Sequence, residues 1–206
     1  MPEPKRVLKK GEGIGVAVLS DFHIGAKVKG LKITPDFSYE HVVSKLRESA
    51  ARINRHGYAS VHINLLGDFI ESFTGLNHIN SWQGMEYNAS GANGVIIAFE
   101  IVRDFLMSID NLVEVNMVAG NHDRSTSNNK EDAKGEIATL LHYMIQSHFK
   151  DIAVNYDPLI LTREIDGICH VLTHNHQGLS KQDCSKIFWD YGKQGMYNLL
   201  LGGHWH

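Results

Sequence analysis

The sequence predicts an α/β domain. Short apolar runs of strand length alternate along the chain with longer segments that repeat at helical spacing. The connections between them are mostly short, and each of five strand-like runs leads directly into Asp, Asn or His.

The run at 14–20 (IGVAVLS) is continuously apolar, as in a strand covered on both faces. Val42, Val43, Leu46, Ala50 and Ile53 then recur at helical spacing behind Ser38, a candidate N-cap. At 60–66 (SVHINLL) the pattern alternates, with Val61, Ile63 and Leu65 on one face. The segment 95–107 (VIIAFEIVRDFLM) is apolar nearly all round and predicts a buried helix. Alternation returns at 112–118 (LVEVNMV), and Ile137, Leu140, Leu141, Met144 and Ile145 mark an amphipathic helix. A strand is predicted at 168–173 (ICHVLT) and a last one at 196–201 (MYNLLL); between them Ser180, with Asp183 three residues on, opens a helix over 180–192. No repeat, low-complexity stretch or linker divides the chain, so 1–206 reads as a single domain.

Composition narrows the class. A hydrophobic share of 43% and a charged share of 21% are those of a soluble globular protein, and a net charge of −3 gives no global basic field for nucleic acid. No run approaches the ~18 apolar residues of a membrane helix. The opening MPEPKRVLKKGEG has no signal-peptide core, and two cysteines, Cys169 and Cys184, are too few for a disulfide framework. A cytoplasmic protein is the expectation. The unusual count is histidine, at 13.

Those histidines fall in a pattern. After 14–20 come Asp21 and His23; after 60–66, Gly67 and Asp68; after 112–118, Gly120, Asn121, His122 and Asp123; after 168–173, His174; after 196–201, Gly203, His204 and His206. Carboxyl ends of strands are where α/β sheets bind ligands, and the glycines at 67, 120 and 203 let the chain turn sharply there. Imidazole together with carboxylate and amide oxygen suits zinc, manganese, iron or nickel, and a set without cysteine argues against a structural zinc. Residues i and i+2 of an extended chain point the same way. Asp21 with His23, and His204 with His206, can therefore each reach one ion, or two ions about 3.5–4 Å apart. Asp68, alone after its strand, is placed to bridge. Each motif is weak singly; their recurrence after five strands carries the reading.

Taken together, Asp21-x-His23, Gly67-Asp68, Gly120-Asn121-His122-Asp123, His174 and Gly203-His204-x-His206 resemble the motifs of the calcineurin-like metallophosphoesterases, over residues 21–206. The resemblance implies two β-sheets packed face to face in a sandwich flanked by helices, with a dinuclear metal site at the strand ends. It implies that Asp21, His23, Asp68 and His206 hold one divalent ion and Asp68, Asn121, His174 and His204 the other. Manganese is the first expectation, with iron, zinc or nickel as alternatives. His122 is then not a ligand but the general acid facing the scissile phosphate, with Asp123 orienting it.

The stretch after Asp68, FIES, differs from the VDRG-like stretch of phosphoprotein phosphatases. It also carries Glu71 where purple acid phosphatases place a tyrosine ligand. SDFHIG, GDFIES and GNHD look more like the DNA-repair exonuclease branch, phage-encoded members included, which implies DNA as the phosphodiester substrate and, for a phage protein, the host cytoplasm. The alternatives are an esterase for small or cyclic nucleotides and a non-catalytic scaffold of the same fold; the complete ligand set and His122 speak against the scaffold. Family members continue past the last motif with further strands, so the resemblance also implies a sequence cut at that motif, with apolar surface left on its last strand.

Other residues stand near these motifs. His176 follows His174 by two and is a candidate for packing behind the ligands, and Arg124 is either a phosphate contact or an ordinary surface charge. The long loop 73–93 offers His78, Trp82 and Tyr87 to substrate or partner, or is simply a packed surface loop. His142 and His148 fall on different faces of one helix and read as solvated, and Cys169 reads as buried and inert.

Overall fold

The computed structural model describes residues 9–76, 81–126, 136–176 and 182–204. His206, His78 and Ser180 lie outside the described residues. Along the chain run β1 (Ile14–Leu19), α1 (Tyr39–His56), β2 (Ser60–Leu66), a 3-10 turn (Ser81–Gly84), α2 (Gly91–Met107), β3 (Leu112–Val118) and α3 (Glu136–His148). Then follow β4 (Ala153–Asp157), β5 (Ile160–Ile165), β6 (Ile168–Thr173), α4 (Cys184–Tyr191) and β7 (Tyr197–Gly202).

The α/β class is as expected, with two sheets. The first has the order β1-β2-β3-β4 and all its pairs are parallel. Parallel neighbours need a crossover, and crossovers are right-handed, so a sheet that grows in one direction places every crossover helix on one face. That is where α1, α2 and α3 lie. Val61, Ile63 and Leu65 of β2 and Val115 and Met117 of β3 pack there against Val42 and Leu46, Val95 and Val102, and Leu141 and Ile145. Each such side chain fully buried contributes about 1.5–3 kcal/mol.

The other face of this sheet takes the second sheet, β5-β6-β7, in which β5 and β6 are antiparallel and β6 and β7 parallel. Near the carboxyl ends the two layers meet through Leu66, Val118 and Leu172, with Leu161 and Leu201 against them. On its outer side Ile187 of α4 packs on Ile160, Cys169 and Val171. Farther from the site the layer between the sheets is polar. Glu114 receives Arg163 Nε at 2.9 Å and Asn155 Nδ2 at 2.9 Å, and its other oxygen lies 2.7 Å from His62 Nδ1. Asn116 donates to Asn64 Oδ1 at 3.0 Å. A charge is tolerated at this depth because both carboxylate oxygens of Glu114 have hydrogen-bond partners.

Several expectations are corrected. The apolar run of β1 is not covered on both faces: Ile14, Val16 and Val18 are 40%, 38% and 43% exposed, because the second sheet packs chiefly on β2, β3 and β4. Helix α2 buries one face only, and Ile96 and Met107 reach solvent. It is Asp183, not Ser180, that caps α4, accepting the Ser185 N–H at 2.8 Å. Strands β4 and β5 were not anticipated. Their inward residues Asn155 and Arg163 face the polar layer, so they lack the apolar signal that marked the other strands. Among the described residues no helix is long and apolar enough to cross a membrane.

Candidate metal centre

The strand-end segments are tied to one another through their main chains. Past β1 and β2 the two chains run side by side: the N–H groups of Asp21, His23 and Ile24 donate to the carbonyls of Gly67, Asp68 and Phe69 at 3.1, 2.9 and 3.0 Å. Asp21, His23, Asp68 and His204 have φ of 58°, 43°, 53° and 73°. For non-glycine residues this left-handed region costs about 1–2 kcal/mol each and is retained only where the surroundings enforce it. Asp21 and His23 therefore converge through consecutive turns, not as i and i+2 of an extended strand. Gly67 needs its φ of 80°, and a Cβ there would strike the Gly120 main chain. Gly120 and Gly203 serve close approach instead, Gly120 against Asp68 and Gly203 between His174 and Leu66.

These contacts bring Asp21, His23, Asp68, Asn121, His174 and His204 together. Asp68 Oδ2 lies 3.1 Å from His174 Nε2 and 3.7 Å from His23 Nε2, and His23 Nε2 lies 3.9 Å from Asp21 Oδ1. Asn121 Oδ1 is 3.0 Å from His174 Nε2, and the His204 N–H reaches Asp21 Oδ2 at 3.3 Å. Asp21, His23 and Asp68 form one group whose ligand atoms lie within 4.8 Å of one another, and Asp68, His174 and His204 form a second. Asp68 belongs to both; His23, Glu71 and His122 form a third such group beside them. The arrangement is positioned to hold a metal ion.

Ring orientation agrees with that use. His174 donates its Nδ1–H to the Leu66 carbonyl at 2.6 Å, which leaves Nε2 facing Asp68 and Asn121. Electrostatically the site is a negative well. Burial pulls the pKa of His23 and His174 down, but the hydrogen bonds and charges of Glu71, Asp68 and Asp21 around His23, and of Asp68 and Asp21 around His174, outweigh it and raise both. Burial pushes Asp68 up while His174 pulls it further down, to about 2. Crowded carboxylates that draw protons onto their histidines are chemically suited to a cation.

Two roles differ from expectation. Asp123 does not orient His122. Its buried carboxylate accepts the main-chain N–H groups of Asp68, Phe69, Ile70 and Gly120 at 2.8, 2.7, 3.3 and 2.8 Å, and so clamps the loops that carry Asp68 and Asn121. Burial first and the Asp68 charge second push its pKa up, to about 7, against the pull of those donors. His122 is oriented by Glu71 instead: its Nδ1 lies 2.6 Å from the Glu71 carbonyl and 3.6 Å from Oε2, while its ring meets that of His23 edge-on at 4.7 Å. In the sequence Glu71 is marked only by its place three residues after Asp68.

The remaining candidates are also placed. His176 packs edge-on against His174 at 5.5 Å, and burial, then the His174 charge, lower its pKa to about 4. Arg124 is 9% exposed, so it is not an ordinary surface charge. His142 stacks on Tyr156 at 5.1 Å, and His148 packs against Phe99 and Phe149; neither is simply solvated. Cys169 is buried, as expected, and Trp82 and Tyr87 are exposed. The loop that carries them is pinned to the segment after His23, through Lys27 N–H to Gly84 and Glu86 N–H to Gly25.

No protein-family model matches the chain, and comparison with curated proteins gives no match.

Proposed function

We propose that this chain is a dinuclear-metal phosphodiesterase of the calcineurin-like metallophosphoesterase type, acting on DNA. The observation that carries the reading is the pair of ligand groups sharing one carboxylate, Asp68. Asp21, His23 and Asp68, with His206, would hold one cation, and Asp68, Asn121, His174 and His204 the other. Two divalent ions, manganese in the first instance, supply Lewis acidity that activates water at neutral pH and offsets charge on phosphoryl oxygens. His122 has its Nδ1 proton committed to the Glu71 carbonyl, so in the imidazolium form it gives the leaving alkoxide the proton on Nε2.

Support for a nucleotide substrate comes from the GDFIES context and from a groove of about 410 Å³ beside Asp21. Phe37, His41 and Lys45 line it, offering ring faces and a positive charge to a base and its phosphate. The net charge of −3 favours a second reading, a diesterase for small or cyclic nucleotides, which needs no extended basic surface. A panel with manganese decides between them: single- and double-stranded DNA, a cyclic nucleotide, an aryl diester and a monoester. Cleavage of DNA ahead of the others is expected. Preference for the cyclic nucleotide or the monoester overturns DNA as substrate, and metal binding without any turnover overturns catalysis.

A further inference from the structure

Glu71 touches a candidate ligand and the candidate acid, its side chain at His23 and its main chain at His122. Its Oε2 lies 2.9 Å from His23 Nδ1, and its carbonyl accepts from His122 Nδ1 at 2.6 Å. The residue is itself fixed to the segment that carries His23, because its N–H donates to the Ile24 carbonyl at 3.0 Å and Ile24 bridges Ile70.

We propose that Glu71 is a positioning residue: its carboxylate sets the tautomer and angle of His23 as a metal ligand, while its main-chain carbonyl sets those of His122. The inference rests on the metal-centre reading above. An ionised carboxylate only accepts, and neutral imidazole carries one N–H, so the proton of His23 sits on Nδ1 and the lone pair on Nε2. Nε2 is the nitrogen that faces Asp21 and Asp68, at 3.9 and 3.7 Å. The opposite tautomer would present an N–H where a cation must bind. Carboxylates placed behind ligating histidines also raise their basicity, and losing one typically costs about 10–100-fold in metal affinity or activity.

The division between side chain and main chain makes the proposal testable. Glu71→Leu removes the acceptor for His23 and leaves the carbonyl for His122; Glu71→Gln restores a neutral acceptor. Manganese titration by calorimetry, with histidine ¹⁵N spectra of the metal-free protein, reads the effect without substrate. The expected result for Glu71→Leu is binding weakened about 10–100-fold, unchanged stoichiometry and a His23 tautomer mixture. Glu71→Gln should recover part of the affinity and the Nδ1–H tautomer. Wild-type affinity in Glu71→Leu overturns the proposal, as does Glu71→Gln binding no better than Glu71→Leu. Loss of a whole metal equivalent also overturns it, since Glu71 would then be a ligand in its own right. A wild-type protein that binds manganese but cleaves no DNA would overturn the substrate reading and leave this test intact.

Discussion

His122 donates its Nδ1–H to the main-chain carbonyl of Glu71 across 2.6 Å. In the proposed reaction only Nε2 would be left to exchange a proton with substrate, and a main-chain anchor survives any side-chain change at position 71. His122→Ala should therefore keep its bound metal and lose rate, on the order of 10²–10⁴-fold for an alkyl diester. An aryl diester whose leaving group needs no proton should lose far less. Loss of metal in this variant, or an equal loss on both esters, would show that His122 is not the acid.

Asp68→Asn tests the shared carboxylate. An amide oxygen can still take the His122 N–H that Asp68 Oδ1 now accepts at 2.7 Å, so the loop keeps its shape. The charge between His23 and His174 disappears. Diester turnover should be abolished and metal content reduced, with the far-UV circular dichroism unchanged. Two bound ions and near-normal turnover would contradict the assignment.

Asp123→Ala should act on stability before chemistry. Four buried N–H groups lose their acceptor, and at about 1–3 kcal/mol for each unsatisfied group the loss is several kcal/mol even after partial relaxation. Domains of this size are stable by about 5–15 kcal/mol, so urea unfolding should show a shift of the midpoint large enough to read directly. A carboxylate that merely oriented His122 would lower rate and leave that midpoint in place.

Glu114 gives a pH signature remote from the metal centre. Burial raises its pKa, but the His62 hydrogen bond and the Arg163 charge outweigh that and hold it below 4.5. A carboxyl depressed on folding stabilises the protein above its unfolded value and loses the contribution as pH falls through the lower, folded one. The stability advantage of wild type over Glu114→Gln should thus be level above about pH 5 and shrink below about 4.5. Urea unfolding across that range checks it, and an advantage that does not change with pH would contradict the linkage.

Much of the fold was legible because helices cover the first sheet. Val61, Ile63, Leu65, Val115 and Met117 alternate in sequence since one face of β2 and β3 is packed on helices, and the bounds of both strands were read directly. Strands β4 and β5 were illegible for the converse reason, since Asn155 and Arg163 face Glu114. The candidate ligands stood out because each follows a strand. Roles that run through the main chain did not: Asp123 works on N–H groups 53 to 55 residues earlier in the chain, and Glu71 on two rings that adjoin only after folding. An apolar run such as that of β1 reports hydrophobicity but not how many neighbours the strand will have.

The hydrogen bond from the His204 N–H to Asp21 spans 183 positions. Synthesis proceeds at about 5–20 residues per second, so a ribosome delivers Asp21, His23, Asp68 and Asn121 seconds before His174 and His204. Until β6 and β7 dock, the nascent polypeptide holds one half of a pocket whose second ligand group is still unmade. The candidate site is thus completed late in synthesis, when the segments after β6 and β7 fold back onto those after β1 and β2.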